Sequence, residues 1–142
     1  MSETTITASW VGPDLEYVGT DSKGNTIKMG GEGISPAQMV LLGLAGCMGM
    51  DILYVLRKKR LVVETVEVTV VGQQPEEYPR PFTRVALKFA ITGQNLTAQA
   101  VERAISLSRD KYCVVGQTLL NPVEVQTSFT ITESATADLA AA

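Results

Sequence analysis

Two cysteines and no histidine bound the chemistry open to this chain of 142 residues. Cys47 lies within LLGLAGCMGMDILYVLRKKR (41–60), with Asp51 four residues on, and Cys113 stands in KYCVVG, 66 positions further along. The missing histidine excludes Ser-His-Asp and Cys-His nucleophile pairs and any His-ligated zinc or iron. Two cysteines by themselves do not close a zinc site. Chemistry here falls to Cys, Asp/Glu, Lys/Arg, Tyr or Ser. The cysteine pair admits three readings: buried core fillers, a structural disulfide, which a reducing compartment disfavours, or a redox pair.

Helical spacing places Gly43, Cys47 and Asp51 on one face. A carboxylate beside a thiol raises the thiol pKa, so Asp51 alone does not activate Cys47. Cys47 is also three turns into its helix, beyond useful reach of the N-terminal dipole. A reactive Cys47 therefore needs a cation or donors from another segment, and without histidine these are Arg or Lys. Asp51 itself reads as a paired core or interface carboxylate.

The elements that would position these groups are legible. Ser35-Pro36-Ala37-Gln38 carries helix-start signals: a capping serine, a proline at the first helical position and a glutamine completing a capping box. The helix is expected to run to Arg60, roughly 37 Å, with the RKKR cations at 57–60 at the negative end of its dipole. Its first two-thirds is apolar all round, which calls for burial on every side. Gly43, Gly46 and Gly49 leave room for a second backbone, and a partner chain is the natural cover. Met39, Met48 and Met50 read as core packing. Before this helix, TTITASW (4–10) reads as a strand with Trp10 anchored against a sheet, and LEYVGT (15–20) and NTIKMG (25–30) as a hairpin. After it, LVVETVEVTVVG (61–72) and FTRVALKFAIT (82–92) pair around a Pro-rich tip. Val85, Leu87, Phe89 and Ile91 point inward there, with Arg84 and Lys88 outward. LTAQAVERAISLSRDKY (96–112) is amphipathic and helical, VEVQTSFTIT (123–132) a last strand. The order β-β-β-α-β-β-α-β is an α+β plan, a single domain over 1–133 with a frayed tail at 134–142.

Composition narrows the partners. With net charge −3 and pI about 4.9, no basic footprint for nucleic acid exists. MSETTITASW lacks the basic and apolar regions of a signal peptide, so a cytoplasmic location is expected. The stretch 36–56 is apolar enough to test as a membrane span, but Asp51 near its centre would be costly in lipid. No membrane association is expected.

Three segments together, SPAQMVLLGLAGCMGMDILYVLRKKR, YPRPFTRVALKF and KYCVVGQTL, resemble the OsmC/Ohr family of osmotically inducible and organic hydroperoxide resistance proteins, in order and spacing over about residues 26–132. The resemblance implies an OsmC-like intertwined homodimer with two long buried central helices wrapped by sheets and with active sites at the interface. It implies a thiol-dependent peroxidase acting on organic hydroperoxides in oxidative stress defence, needing no cofactor. Cys47 would attack the peroxide and become a sulfenic acid, and Cys113 would resolve it to a disulfide that a dithiol reductant, of lipoyl type, reopens. Leu41, Leu44 and Met48 would wall an apolar site. Two family features are missing: an arginine in the N-terminal strands, since none precedes Arg57, and a glutamate in the helix-opening turn, where Ala37 and Gln38 stand. Glu32, Gln38, Asp51 and Arg80 are the candidate supporting residues. The alternative is a catalytically impaired OsmC-like dimer that binds a small apolar ligand.

Overall fold

The computed structural model describes residues 1–134. Strands β1 (Thr7–Trp10), β2 (Glu16–Thr20) and β3 (Thr26–Gly30) form an antiparallel meander in that order. Its second turn is built by Asp21, whose Oδ1 accepts the amides of Lys23 and Asn25 at 2.8 Å each, the local side-chain bonding that makes Asp a turn residue. Helix α1 (Pro36–Lys58) follows, then β4 (Val62–Gln73) and β5 (Arg84–Gln94), a second antiparallel sheet. Its register sets Val66 opposite Ile91, Val68 opposite Phe89 and Val70 opposite Leu87. At one end of this sheet Gly93 packs so closely that a Cβ would collide with the Val62 carbonyl. The architecture is α+β, as the patterning required.

α1 lies across the β4–β5 sheet. Leu44 and Met48 pack with Cys113 against Val85, Leu87 and Phe89, while Ile52 and Leu56 pack with Ala104 against Phe89, Ile91 and Leu96. The inward alternation expected for β5 is observed: Val85, Leu87, Phe89 and Ile91 are half-buried and Arg84 and Lys88 exposed. α1 is long and apolar enough to cross a membrane by length and composition alone. One side of it packs on the sheet, and its Asp51 accepts a hydrogen bond from Ser108.

α1 is open on one side within its own chain: Leu42, Met50 and Tyr54 are 56%, 70% and 66% exposed, on one i, i+4 stripe with Gly46, which faces open space. Several expectations are corrected. Met50 is therefore not a core residue of this chain, whereas Met48 is. The helix ends at Lys58, and Arg60 takes a positive φ of 61° beyond it. Ser35 makes no side-chain cap bond; Ser35 and Gln38 line a cavity instead. Trp10 is exposed, its indole N–H bonded to the Asp14 carbonyl at 2.8 Å. The expected strand over 123–132 does not pair, because the chain brings no strand edge alongside it; Val123, Val125, Phe129 and Ile131 are left exposed. The tail expected over 134–142 lies, from residue 135, outside the described residues.

The helix expected over 96–112 is two pieces. α2 (Ala98–Leu107) is capped by Thr97, whose Oγ1 accepts the Ala100 amide at 3.1 Å. A π-helical turn (Ser108–Tyr112) and a short helix α3 (Val114–Leu120) follow. Thr97→Ala removes a satisfied cap and is expected to cost about 1 kcal/mol, read as a lower denaturation midpoint with an unchanged urea m-value.

Candidate functional site

The site arises where the π-turn crosses α1. On α1, Cys47 and Asp51 are one helical turn apart and both half-buried. In the π-turn the Cys113 amide donates to the Ser108 carbonyl at 2.8 Å, an i→i+5 bond that widens the helix. This wide turn aims two side chains at α1. Ser108, fully buried, donates its hydroxyl to Asp51 Oδ2 at 2.9 Å. Cys113, 0% exposed, brings its sulfur to the same place. The two sulfurs and an Asp51 carboxylate oxygen all lie within 4.8 Å of one another. Both cysteines are free thiols. Cys113 also begins α3, its Sγ accepting the Gly116 amide at 3.2 Å.

Electrostatics work against ionisation of Cys113. Burial is the largest cause, reinforced by the Cys47 thiol and the Asp51 charge, and the Gly116 amide only partly opposes them; the thiol is pushed up to about 11 from 9.0. The sign follows: Cys113 stays protonated at neutral pH, and its thiolate fraction rises about tenfold per pH unit until pH 11. Because the unfolded thiol ionises first, the stability that this burial contributes is present below pH 9.0 and lost as pH rises through 11. Thiolate absorbance measured against pH is expected to show one late step near 11; a Cys113 step below 9 would contradict this environment.

A cavity of about 510 Å³ opens next to Leu44 and Met48, which pack with Cys113; neither cysteine nor Asp51 lines it. It is lined by Leu41, Leu44 and Met48 on α1 and Leu87 and Phe89 on β5, with Arg84 and Arg109 as the charged lining residues among those described. The three apolar positions expected to wall the site all line it. A second cavity, about 730 Å³, lies at the α1 N-terminus and holds Gln38 and Arg80. Arg80 is occupied there: its Nε donates to the Pro75 carbonyl at 2.7 Å, and its guanidinium stacks on Tyr78. Of the candidate supporting residues, only Asp51 thus joins the cysteines. Gln38 and Arg80 share the other cavity, and Glu32 stands on an exposed turn lining neither. Among the described residues no ion pair reaches Asp51.

Ser108 and Arg109 were not singled out for chemistry. Ser108 carried one signal, a hydroxyl on the apolar face of an amphipathic helix, where a buried polar group needs a partner. Arg109 carried none, because only the π-turn decides which way it points.

A family model described as OsmC-like protein matches residues 29–128. The chain belongs to the OsmC-like family. It is 36% identical over 126 residues to Protein YhfA of Escherichia coli, covering 86% of this chain and 93% of that one. A hypothetical protein of Aquifex aeolicus superposes with a TM-score of 0.78 at 25% identity, covering 84% and 89% of the two chains. An organic hydroperoxide resistance protein OsmC of Legionella pneumophila shares the fold with a TM-score of 0.58 at 15% identity, covering 84% and 90%. Membership accounts for the α+β architecture.

Proposed function

We propose that this OsmC-like chain is a thiol-dependent peroxidase that reduces organic hydroperoxides. The observation that carries the reading is the convergence of Cys47 and Cys113 within 4.8 Å, from elements 66 residues apart. The Cys47 thiolate attacks one peroxide oxygen, the O–O bond breaks, and the alkoxide takes a proton to leave as alcohol. Cys47 is then a sulfenic acid. The Cys113 sulfur attacks it, an S–S bond forms, and the S–O bond breaks with hydroxide leaving as water on gaining the Cys113 proton. A dithiol reductant of lipoyl type reopens the disulfide. The apolar cavity beside Leu44 and Met48 suits the alkyl part of such a substrate, and the Legionella neighbour is named for resistance to the same class. The chemistry fits a reducing, cytoplasmic setting, where free thiols persist.

The working unit is a homodimer. Supporting this are the exposed apolar stripe Leu42, Met50 and Tyr54 on α1, the unpaired apolar segment after α3, and a β1–β3 sheet that packs weakly on the rest of its own chain. Each is a surface that a second copy would cover.

One observation favours a second reading. No cation is among the groups that shift Cys113, and none pairs with Asp51 among the described residues, so the Cys113 thiol lacks the usual activation. On that reading the chain is a dimer that binds a small apolar ligand in the 510 Å³ cavity without turnover. Intact mass and free-thiol counting before and after one equivalent of cumene hydroperoxide decide the matter. Peroxidase chemistry removes two hydrogen atoms and both thiols within seconds. Two untouched thiols would leave only the binding protein.

A further inference from the structure

We propose that Cys47, Asp51 and Cys113 form a binding site for a thiophilic d¹⁰ cation, with Zn²⁺ as its physiological form. Three donors, two sulfurs and a carboxylate oxygen, lie within 4.8 Å of one another. Zn–S bonds of about 2.3 Å and a Zn–O bond of about 2.1 Å hold donors about 3.5–3.8 Å apart at tetrahedral angles, so small side-chain adjustments close the set. The donors come from two elements, α1 and the start of α3, and an ion between them would tie the central helix to the C-terminal helices.

The surroundings are those of a held ligand set. The Ser108 hydroxyl donates to Asp51 Oδ2 at 2.9 Å, and Oδ1 accepts no side-chain hydrogen bond among the described residues. The Gly116 amide bonds Cys113 Sγ at 3.2 Å. Outer hydrogen bonds of this kind orient ligands and tune their basicity. Three groups able to carry negative charge meet with no ion pair to Asp51 among the described residues, a deficit that a divalent cation corrects. Soft sulfur with one carboxylate and no imidazole selects Zn²⁺, Cd²⁺ or Cu⁺ over Mg²⁺ or Ca²⁺. With three protein donors, a tetrahedral ion keeps its fourth position for water. The assignment uses the same side chains as the peroxidase reading and does not depend on it. Ion and disulfide compete for the same sulfur lone pairs, so each state excludes the other.

Cd²⁺ titrated into the reduced, full-length protein is the direct probe. The expected result is one ion per chain, an ultraviolet thiolate-to-Cd²⁺ charge-transfer band, displacement by Zn²⁺, and protection of the half-buried Cys47 thiol from iodoacetamide. Cys47→Ser and Cys113→Ser each remove the band. Asp51→Asn, which still accepts from Ser108, keeps a band but weakens binding about 10–100-fold. Protection in the wild-type protein is read without any variant, so a variant that fails to fold does not blunt the test. No band at one equivalent, a band indifferent to Cys113→Ser, or one ion per two chains would each overturn the site. A protein that binds Cd²⁺ but ignores hydroperoxide keeps this site and loses only the peroxidase reading; one that consumes hydroperoxide without binding does the reverse.

Discussion

Replacing Cys47 by serine is expected to lower organic hydroperoxide consumption by at least about 10³-fold, the scale on which removing a covalent nucleophile acts, while the fold is kept. Cys47 is half-buried at the edge of the Leu44–Met48 cluster, and serine is smaller by little, so circular dichroism should be unchanged. Cys113→Ser separates the two roles. It leaves the first oxidation intact, so the protein gains one oxygen atom as a Cys47 sulfenic acid and, with no second thiol in the chain, proceeds to the sulfinic acid under excess peroxide. The contrast is diagnostic, because a single-cysteine mechanism would make Cys113→Ser silent. Full activity in Cys47→Ser would end the peroxidase proposal.

The second large effect concerns assembly. Met50 is 70% exposed in the isolated chain and touches neither core cluster, so Met50→Glu costs the single chain little. In a homodimer joined along α1 it buries an unpaired carboxylate, a penalty of about 4 kcal/mol, which weakens dimerisation about 10³-fold. Sedimentation velocity across a concentration series reads this directly: wild type as a dimer, Met50→Glu as a monomer in the same range. Leu42→Glu, on the same stripe and 56% exposed in the chain, should behave alike. A wild-type monomer, or a dimer indifferent to both changes, would mean that another surface joins the copies. Because the exposed segment after α3 includes Phe129 and Ile131, loss of the dimer should also make the protein prone to aggregation.

What the sequence determined by itself was the periodic part. Alternation of Val66, Val68 and Val70 against Glu67 and Thr69 specifies β4. The run from Pro36 specifies α1, and Arg57 and Lys58 fall in its last turn. These signals are local, since each depends on spacing along a few residues. Helical spacing also placed Cys47 and Asp51 together, and the absence of histidine limited the chemistry to thiols and carboxylates. The meeting of Cys47 with Cys113 was not local. It depends on a π-turn at Ser108–Tyr112, one wide turn whose geometry has no counterpart in hydrophobic periodicity, and on Ser108 finding Asp51. The Ser35-Pro36 signal set the start of α1, with Ser35 at the N-cap and Pro36 in the first turn, although the Ser35 side chain makes no cap bond. The strand at 123–132 shows the opposite limit. Its alternation is clear in sequence, but a strand needs a neighbouring edge, and among the described residues this segment pairs with none. Patterning sets which face of an element is apolar; only tertiary contact decides what that face meets, because contact energy depends on partners far apart in sequence.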